Sequence, residues 1–439
     1  MNNLKDNVIE SNSYKPKVFI ETFGCTFNKA DSEIIAGNLI ENGIVLVDKI
    51  DNADVAIVNT CYVKNPTESK VTTRIHKLQK EFPELKIVVS GCMVEIDPEK
   101  LNKIAPNSSW IGPHKLNTAT EVVNATINGN ILRKSGFTKD SKVGLVKKSF
   151  DKHIHIIQIC EGCLGACTYC CTRFARGPLN SYPIEDIVTE AKEAINNGAV
   201  EIQLTAQDTA AFGKDTGEKL STLITKIATL DGEFRVRIGM MHPKNLGDDL
   251  NDVINGYKHD KIYKFIHLPI QTGSNKVLKE MKRGHTVEEY YDIVKQFKIA
   301  IPEITLATDI IVGYPTENND DFKDTVNFLK DLKPNIIHLS KYKHRKGASS
   351  SNLDEIPYDL MKKRSKYLSE IKTAITKNEN NELIGKTVKA IVIEKGKKSG
   401  YLAKTDNYLP LILEDAEIGK FVNVKITEVT GTYLKGKII

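Results

Sequence analysis

The sequence predicts an α/β protein made of an open parallel sheet, a partial barrel and a small β-barrel. Strand-like apolar runs alternate with helical segments over residues 17–130 and again over 153–345, which is the pattern of parallel sheets covered by helices. After residue 385 the pattern changes to short β-like runs separated by Gly and Lys. Six of the eight cysteines fall into two sets of three with different spacing, and these two sets guide the functional analysis.

The composition is that of a globular protein of about two to four domains. The 439 residues are 40% hydrophobic and 27% charged, with a net charge of +6. No apolar run reaches the roughly 18 residues of a membrane span, and the start lacks the apolar stretch of a signal peptide. We therefore expect a cytoplasmic protein, in which clustered cysteines bind metal or react. The modest positive charge fits a polyanionic partner and a solvated Lys-rich surface equally well.

The first segment, residues 16–130, carries three strand–helix units. Strands are predicted at 17–22, 54–59 and 85–90, with helices at 32–42, 67–81 and from 97 onward. Cys25, Cys61 and Cys92, called the wide triad below, each follow a strand by one to three residues. Because parallel strands end at one edge, about 4.8 Å apart, we expect these thiols to converge. Three buried structural cysteines are the alternative, and the recurrence in successive units favours convergence.

Residues 131–150 are predicted to be a basic linker before a second series of strands and helices. Strands are predicted at 154–159, 200–204, 234–238, 263–268, 305–311 and 335–339, followed by a charged helix over 357–384. Six β-α units predict an incomplete barrel within residues 151–384. Its active site is expected at the carboxyl ends of the strands.

Cys163, Cys167 and Cys170, called the tight triad below, have the spacing C-x3-C-x2-C directly after the first barrel strand. Three thiolates can hold a 4Fe-4S cluster and leave its fourth iron open. S-adenosylmethionine can chelate that iron through its amine and carboxylate, and one electron then releases a deoxyadenosyl radical. The alternatives are a redox dithiol and a zinc site, which would need Cys160 or Cys171 as a fourth ligand. The spacing favours radical chemistry.

Other polar residues are predicted to line the mouth of this barrel. Tyr169 lies inside the cysteine loop, where an aromatic side chain can sit beside the adenine. Arg235 and Arg237 alternate with apolar residues inside the third strand, where inward side chains could pair with a carboxylate or phosphate and exposed ones would only be solvated. The remaining cofactor-binding candidates are Gln207, Asp208, His267, Gln271 and Asp309, with His242 as a further polar residue shortly after the third strand. Their position at strand ends makes them candidates for binding the methionine moiety, the ribose or the substrate base. Each is equally well explained as a structural hydrogen-bond partner.

The last segment, residues 385–439, predicts a small β-barrel of the oligonucleotide-binding type. From Lys386 onward it has ten Lys against six Asp and Glu, a local net charge of +4. Tyr401, Tyr408, Phe421 and Tyr433 offer rings that could stack on bases. The candidate RNA-binding residues are Lys386, Lys389, Lys395, Lys397, Lys398 and Tyr401. An ordinary β-domain with a solvated Lys face explains this segment alone equally well.

The chain resembles the radical S-adenosylmethionine methylthiotransferase family over nearly its whole length. The matching motifs are Thr-Phe-Gly-Cys25-Thr-Phe-Asn-Lys-Ala-Asp31, Asn-Thr-Cys61, Ser-Gly-Cys92, Leu268-Pro-Ile-Gln271-Thr-Gly-Ser and Thr308-Asp309-Ile-Ile-Val-Gly-Tyr-Pro315. The C-terminal β-domain is similar to the TRAM module by which this family binds RNA. Because all three segments match in the right order, the resemblance is specific.

The resemblance implies an enzyme with two 4Fe-4S clusters and S-adenosylmethionine as cofactors. The cluster on the tight triad would generate the radical, and the cluster on the wide triad would present the sulfur that becomes a methylthio group. No side chain need act as acid, base or nucleophile, because the cofactors break the difficult bonds. The implied partners are tRNA, an electron donor such as a ferredoxin or flavodoxin, and a sulfur source.

Branches of the family differ in substrate: isopentenyladenosine in tRNA, a ribosomal-protein aspartate, or threonylcarbamoyladenosine. Bacterial branches usually follow the tight triad with Arg-Gly, two residues and Arg-Ser-Arg, whereas the run Ala175-Arg176-Gly177-Pro178-Leu179-Asn180-Ser181-Tyr182-Pro183 lacks both later arginines. This departure resembles the archaeal and eukaryotic branch. It predicts methylthiolation of threonylcarbamoyladenosine at position 37, 3′ of the anticodon, in tRNAs reading codons that begin with adenine.

Two points remain beside this prediction: the role of two further cysteines and an alternative class of protein. Cys160 and Cys171 lie outside the usual ligand set, and we expect both to be non-ligands. The alternative of a different class is a non-catalytic iron–sulfur electron carrier or RNA-binding protein. Such a protein would not consume S-adenosylmethionine under reducing conditions.

Overall fold

The structure is a computed structural model that describes residues 15–63, 65–396 and 399–439, with the backbone alone at residue 65. No helix within these ranges is long and apolar enough to cross a membrane. The fold is α/β, with an open sheet, a partial barrel and a closed β-barrel in chain order. The fold class predicted from the sequence is confirmed.

The amino-terminal module is a six-stranded parallel sheet with helices on both faces. Its strands are β1 Lys17–Thr22, β2 Val45–Leu46, β3 Val55–Thr60, β4 Lys86–Gly91, β5 Ser109–Ile111 and β6 Arg133–Lys134, in the order β2-β1-β3-β4-β5-β6. Its helices are α1 Thr26–Glu41, α2 Asn65–Glu81, α3 Cys92–Ile96, α4 Pro98–Ile104 and α5 Ala119–Ile127. Every residue of β3 is buried, as expected for a central strand covered on both faces. Since β1, β3 and β4 are neighbours, their carboxyl ends share one edge.

Helix α1 begins at Thr26, six residues before the start predicted from the sequence. The polar residues at the start of α1 suggest a loop, but Asn28 is buried and donates to the backbone oxygens of Phe23 and Thr60 at 2.9 and 2.8 Å. These long-range hydrogen bonds satisfy a side chain that propensity alone would place in solvent. The first turn of α1 therefore faces the inside of the molecule.

Residues 131–150 differ from the predicted solvated linker. Strand β6 extends the sheet, and Lys142 is only 4% exposed. Its ammonium lies 2.9 Å from a carboxylate oxygen of Asp31 and 2.9 Å from one of Glu161. A lysine in a basic stretch is normally exposed, but paired charges can be buried, and these partners lie 111 and 19 residues away in sequence. The segment thus connects the first two modules through a buried ionic contact.

The central module is a partial barrel of six parallel strands. The six barrel strands are β7 Ile154–Gln158, β10 Glu201–Thr205, β11 Arg235–Ile238, β12 Phe265–His267, β13 Thr305–Val312 and β14 Ile336–Lys341. The module also contains two short strands, β8 Cys160–Glu161 and β9 Asn180–Ser181. Its helices are α6 Thr172–Arg176, α7 Ile184–Asn196, α8 Leu220–Ala228, α9 Pro243–Leu246, α10 Leu250–Tyr257, α11 Asn275–Glu280, α12 Val287–Ala300 and α13 Asn319–Leu332. The sheets β7-β10-β11 and β12-β13-β14 join at a bridge between Val236 and Ile262. The short strands β8 and β9 form a separate antiparallel pair.

Helices α12 and α13, the last two barrel helices, each begin with a local capping interaction. Helix α12 starts with a capping box between Thr286 and Glu289, and α13 starts with one between Asn318 and Asp321. Each box satisfies two amide groups that the first turn of a helix leaves unpaired. Local sequence therefore suffices to define both helix starts.

A long helix, α14 Tyr358–Asn381, leads to a closed five-stranded barrel. The strands are β15 Thr387–Lys395, β16 Tyr401–Thr405, β17 Pro410–Leu413, β18 Phe421–Val429 and β19 Leu434–Ile438, in the order β15-β16-β17-β19-β18. Sequence analysis missed β16 and β19, because both are five residues long and contain Lys or Gly. Barrel closure supplies the pairing that such short strands need.

The small barrel packs against the amino-terminal ends of the large barrel's strands. Arg235, the first residue of β11, pairs with Asp406 at 2.8 Å. The ring of Tyr408 lies 5.0 Å from that of Phe265, and its hydroxyl donates to Glu201, the first residue of β10, at 3.4 Å. The small barrel therefore covers the end of the large barrel opposite the tight triad, which follows the carboxyl end of β7.

Glu190 gives a pH-dependent test of how the connecting segment is held. Burial would raise the pKa of Glu190, but the ammonium of Lys147 at 2.5 Å and a hydrogen bond with His155 lower it to about 2. Because the folded pKa lies below the ordinary value, the ionised group stabilises the fold above about pH 4.5, and this contribution is lost as pH falls toward 2. We expect Glu190→Gln to remove roughly 3 kcal/mol of pH-dependent stability at pH 7.

The check is denaturant unfolding of the apo-protein, followed by circular dichroism, at neutral and acid pH. The difference between wild type and Glu190→Gln should shrink from pH 7 to pH 3. Glu185→Gln is the matched control, because Glu185 is 73% exposed and its pair with Lys226 is screened by water. A Glu190 effect that is the same at both pH values would contradict this explanation.

Candidate iron–sulfur and substrate site

The wide triad lies at the carboxyl edge of the amino-terminal sheet. Cys25 is the N-cap residue of α1, Cys61 directly follows β3, and Cys92 is the first residue of α3 after β4. Cys25 is exposed, while the other two are buried. Burial raises the pKa of Cys92 to about 12; a nearby Arg176 opposes this shift, and the charges of Cys61 and Cys25 add to it. Negative charge on Cys61 or Cys25 therefore disfavours ionisation of the Cys92 thiol.

Two glycines allow the chain to come this close around the wide triad. A Cβ at Gly24, where φ is +112°, would lie 2.6 Å from the Cβ of Cys61 and 3.1 Å from its sulfur. A Cβ at Gly91, where φ is +91°, would lie 2.3 Å from the side-chain oxygen of Asn59. Both positions need a residue without a side chain for steric and conformational reasons. The loops that carry Cys25 and Cys92 thus depend on glycine.

Gly24→Ala should therefore prevent cluster assembly on the wide triad. We expect reconstituted protein to lose about half of its iron, because the added methyl group displaces Cys61 and the tight triad is untouched. Gly43→Ala is the matched control: its φ is +77°, so strain is similar, but a Cβ there meets no atom within 4 Å. Iron and sulfide analysis after anaerobic reconstitution is the measurement. Full iron content in Gly24→Ala would contradict the prediction.

The tight triad lies on the loop between β8 and α6, with amide groups directed at its sulfurs. The N–H of Gly165 donates to the sulfur of Cys163 at 3.2 Å, and the N–H of Thr172 donates to that of Cys170 at 3.4 Å. A Cβ at Gly165 would lie 3.3 Å from the sulfur of Cys163 and 3.7 Å from that of Cys167. The glycine therefore keeps open the space beside two of the thiols. Amide donors to sulfur stabilise thiolates and iron–sulfur clusters.

A single metal ion and a 4Fe-4S cluster need different arrangements of cysteines. Among the described residues, no three His, Cys, Asp or Glu side chains are grouped closely enough to hold one metal ion. A zinc ion needs all its sulfur ligands about 2.3 Å from one centre, whereas a cubane distributes three cysteines over three irons. The sulfurs of Cys160 and Cys171 point to the backbone oxygens of Asp208 and Tyr62, each at 3.9 Å. This arrangement gives no support to the zinc alternative.

The two triads meet at one contact between modules. Helix α3, which begins with Cys92, packs against α6, which begins two residues after Cys170. Cys171 and Ala175 share a buried apolar cluster with Cys92 and Met93. The packing of two five-residue helices therefore places the edge that carries the wide triad beside the cysteine loop of the other module.

Two buried arginines contact the triads, one each, and sequence analysis missed both in this role. Arg176 is 2% exposed, and its Nη2 lies 3.5 Å from the sulfur of Cys92. Arg283 is 5% exposed, and its Nη1 lies 3.6 Å from the sulfur of Cys167 and 3.4 Å from the hydroxyl of Tyr169. Arg176 follows the tight triad closely, which is a weak local signal. Nothing in the local sequence marks Arg283, more than a hundred residues further on.

Gln207 and Asp208, predicted to bind the cofactor, make scaffold contacts at the barrel mouth. Gln207 accepts a hydrogen bond from the N–H of Gly162 at 2.8 Å, which supports the cysteine loop. Asp208 is buried, and one of its oxygens accepts from the N–H groups of Ala210 and His242 at 3.1 and 2.8 Å. Its other oxygen accepts from a side-chain amide at 2.6 Å. These contacts give Asp208 a structural role that is independent of any cofactor.

The other predicted residues lie on neighbouring strands of the barrel. His267 of β12 shares a 2.5 Å hydrogen bond with Asp309 of β13, and its ring lies 5.5 Å from that of His338 on β14. Gln271 follows β12 with φ of +84°, held by hydrogen bonds of its own backbone to Asp309 and Ile311. Such a conformation is costly for a residue with a side chain and is often found at functional sites. Sequence analysis did not identify His338 as a candidate site residue.

Two neutral imidazoles lie beside Arg283. Burial, with added repulsion from Arg283, lowers the pKa of His242 to about 2 and that of His285 to about 4. The Nδ1 of His242 and the Nε2 of His285 have no hydrogen-bond partner among the described residues. Buried polar atoms normally have partners. These unpaired nitrogens near the tight triad therefore fit a site that is completed by a polar ligand such as S-adenosylmethionine.

The predicted RNA-binding residues differ in their exposure and in their contacts with the large barrel. Lys386 and Lys395 are exposed and Tyr401 is half-buried, whereas Lys397 and Lys398 lie outside the described residues. Lys389 instead pairs with Glu233 of the large barrel at 3.0 Å. The idea that Tyr408 and Phe421 stack on bases is wrong, because both rings pack against the large barrel.

Comparison with known protein families gives one match for each of the three modules, in chain order. The chain matches the Uncharacterized protein family UPF0004 over residues 17–112, the Radical SAM superfamily over 157–329 and the TRAM domain over 381–439. It is similar in fold to a radical S-adenosylmethionine methyltransferase, TsrM, from Kitasatospora setae with cobalamin and a [4Fe-4S] cluster bound. That likeness has a TM-score of 0.57 at 10% identity, covering 77% of this chain and 74% of the other, so it supports the fold alone.

Sequence relatives are much closer. A probable threonylcarbamoyladenosine tRNA methylthiotransferase of Methanothermobacter thermautotrophicus is 54% identical over 418 residues, covering 95% of this chain and 98% of the relative. The threonylcarbamoyladenosine tRNA methylthiotransferase of Homo sapiens is 34% identical over 432 residues, covering 96% of this chain and 74% of the relative. With identity of this extent across all three modules, the chain belongs to the threonylcarbamoyladenosine tRNA methylthiotransferase family of radical S-adenosylmethionine enzymes.

Proposed function

We propose that this protein methylthiolates threonylcarbamoyladenosine at position 37 in tRNAs reading codons that begin with adenine, giving the 2-methylthio derivative. The observation that carries the proposal is the meeting of the two triads across α3 and α6 in a chain 54% identical to a probable enzyme of this activity. Methylthiolation needs a radical source and a sulfur source at one site. Two cysteine triads brought together at one module contact suit that requirement.

Each triad is proposed to hold one 4Fe-4S cluster. With S-adenosylmethionine bound, the tight-triad cluster would supply the electron that releases a deoxyadenosyl radical, which removes hydrogen from a C–H bond. The wide-triad cluster would supply the sulfur, and a second S-adenosylmethionine would supply its methyl group. The amides of Gly165 and Thr172 stabilise the tight-triad thiolates. His267, Asp309 and Gln271 are proposed to orient the cofactor and the base from the neighbouring strands. No side chain is assigned as acid or base.

The remaining modules and partners complete the proposal. The proposed boundaries are residues 16–130 for the sulfur module, 131–150 for the connecting segment, 151–384 for the radical module and 385–439 for the TRAM module. RNA is proposed to contact the exposed face of the small barrel, which includes Lys386, Lys395 and Tyr401, with Lys397 and Lys398 nearby in sequence. A ferredoxin or flavodoxin would supply electrons and a separate source the sulfur. We propose that the protein acts in the cytoplasm.

The test of the substrate is nucleoside analysis of tRNA from cells that lack this gene. We expect 2-methylthio-threonylcarbamoyladenosine to disappear and its precursor to accumulate, and the wild-type gene to restore the product. Normal levels of that nucleoside would overturn the proposal. A specific loss of methylthiolated isopentenyladenosine, or of a methylthio group on a ribosomal protein, would assign the activity to another branch.

A further inference from the structure

Arg176 holds together elements of two modules at the wide triad. Its Nη1 lies 2.7 Å from a carboxylate oxygen of Asp31 and 2.8 Å from one of Glu161. Its Nη2 donates to the side-chain oxygen of Asn28 at 2.7 Å and lies 3.5 Å from the sulfur of Cys92. Asp31 and Asn28 belong to α1, whereas Glu161 precedes the tight triad by two residues. One guanidinium therefore links α1 and Cys92 of the amino-terminal module to Glu161 of the barrel module.

The charges around Arg176 balance without the cysteine. Arg176 and Lys142 are two buried cations, and Asp31 and Glu161 are the two buried anions that they contact. Ion pairing between these residues therefore does not need the extra contact to Cys92. A guanidinium has five N–H donors, and the contacts above leave Nη2 shared between Asn28 and the sulfur. The sulfur contact is thus an addition to a neutral network.

Donors to cluster sulfurs have a defined physical effect. The reduction potential of an iron–sulfur cluster depends on its net charge, its burial and the hydrogen bonds to its sulfurs. A buried cation that donates to a ligand sulfur favours the reduced cluster, because that state carries one more negative charge. The tight triad has its own arginine, Arg283, on Cys167. The chain therefore supplies one buried cation to each cysteine set from a different part of the sequence.

We propose that Arg176 is a positioning residue that raises the reduction potential of the wide-triad cluster by donating to the sulfur of Cys92. The inference rests on the proposed assignment of Cys25, Cys61 and Cys92 as cluster ligands. It adds that the radical module, through the residue that ends α6, controls the electronic state of the sulfur module. The tight-triad cluster is not expected to respond, because Arg176 contacts none of its cysteines.

The test uses full-length protein in which Cys163, Cys167 and Cys170 are all Ala, so that only the wide-triad cluster assembles. The midpoint potential is measured by a dithionite titration followed by EPR; one electron from dithionite reduces the cluster and no bond forms or breaks. We expect Arg176→Gln to shift the potential to a more negative value and Arg176→Lys, which keeps the charge, to shift it less. Iron and sulfide content and circular dichroism of each variant report loading and folding.

Two further variants separate the sulfur contact from general effects. Lys142→Gln removes a cation from the same network without a sulfur contact, and its shift should be smaller than that of Arg176→Gln. Arg364→Gln removes a buried arginine on α14 that pairs with Glu317 at 2.6 Å, outside the network of Asp31 and Glu161, and should leave the potential unchanged. An unchanged potential in a fully loaded Arg176→Gln protein, or equal shifts in the Lys142 and Arg176 variants, would overturn the inference.

The ligand assignment fails in a different, recognisable way. If the Cys163, Cys167 and Cys170 background binds no iron and sulfide, the wide triad does not hold a cluster and both the assignment and this inference are wrong. If Arg176→Gln alone loses the cluster, Arg176→Lys gives the decisive potential. In the reverse background, with the wide triad replaced by Ala, Arg176→Gln should leave the tight-triad potential unchanged. A shift there would also overturn the inference.

Discussion

Cys61→Ala will still cleave S-adenosylmethionine but will form no methylthio nucleoside. Cys61 is a buried residue at the edge of the sulfur module, whereas the radical chemistry depends on the separate loop that carries the tight triad. Loss of one of three ligands leaves that cluster without an anchoring thiolate. We expect 5′-deoxyadenosine to form at a rate within a few-fold of wild type, and the methylthio product to fall below detection. Both products can be measured in one reaction with tRNA that carries threonylcarbamoyladenosine.

Cys163→Ala is the matched opposite of this variant. It removes a tight-triad ligand and should abolish 5′-deoxyadenosine and the methylthio product together, since the radical precedes sulfur insertion. Cys171→Ala is the control, because Cys171 is a buried cysteine of the same region whose sulfur points to a backbone oxygen. Substantial methylthio product from Cys61→Ala would show that the wide triad does not deliver the sulfur.

The second large effect is expected from charge reversal at Arg345, which holds the sulfur module on the radical module. Arg345, in the loop after β14, is buried and pairs with Glu68 of α2 at 2.5 Å. The next residue, Lys346, pairs with Glu99 at 2.8 Å and Asp97 at 3.2 Å. Breaking a buried pair costs about 3–5 kcal/mol. Arg345→Glu places two carboxylates together, so we expect the methylthio product to fall at least about tenfold.

Charge exchange distinguishes a lost pair from a misfolded protein. The double variant Arg345→Glu with Glu68→Arg restores opposite charges at this pair but loses the pairing of Glu68 with Lys100, so it should recover part of the methylthio product. Because neither Arg345 nor Glu68 is a proposed cluster ligand, 5′-deoxyadenosine should form in both variants. Lys343→Glu is a control at a half-exposed position, where the side chain pairs with Glu355 on its own module. Failure of the exchange to recover any product would contradict the proposed role of the pair.

The positions of the cysteines were predictable because they follow from local pattern and from the geometry of parallel sheets. Each wide-triad residue follows a recognisable strand, and strands β1, β3 and β4 are neighbours in the sheet. The tight triad is a contiguous motif and needs no tertiary information. The six barrel strands could be placed for the same reason, since each is an apolar run bounded by helix or turn signals.

The side chains that surround the cysteines were not predictable. Lys142 and Arg176 are buried only because Asp31 and Glu161 neutralise them across a module contact. A single sequence gives no sign of such long-range pairing, and both residues have the composition of a solvated surface. The role of Tyr408 was mistaken for the same reason, because its ring is covered by another module. Local signals therefore locate the cysteines, and tertiary contacts decide what surrounds them.

Iron and acid-labile sulfide content per chain is the most direct test of the division into two triads. The wild-type protein, reconstituted under anaerobic conditions, should hold about eight irons, and replacement of either the wide or the tight triad by Ala should leave about four. Each triple variant must remain folded by circular dichroism for the comparison to hold. A folded variant that retains all eight irons, or a wild-type protein that never exceeds four, would contradict the assignment of one open cluster to each triad.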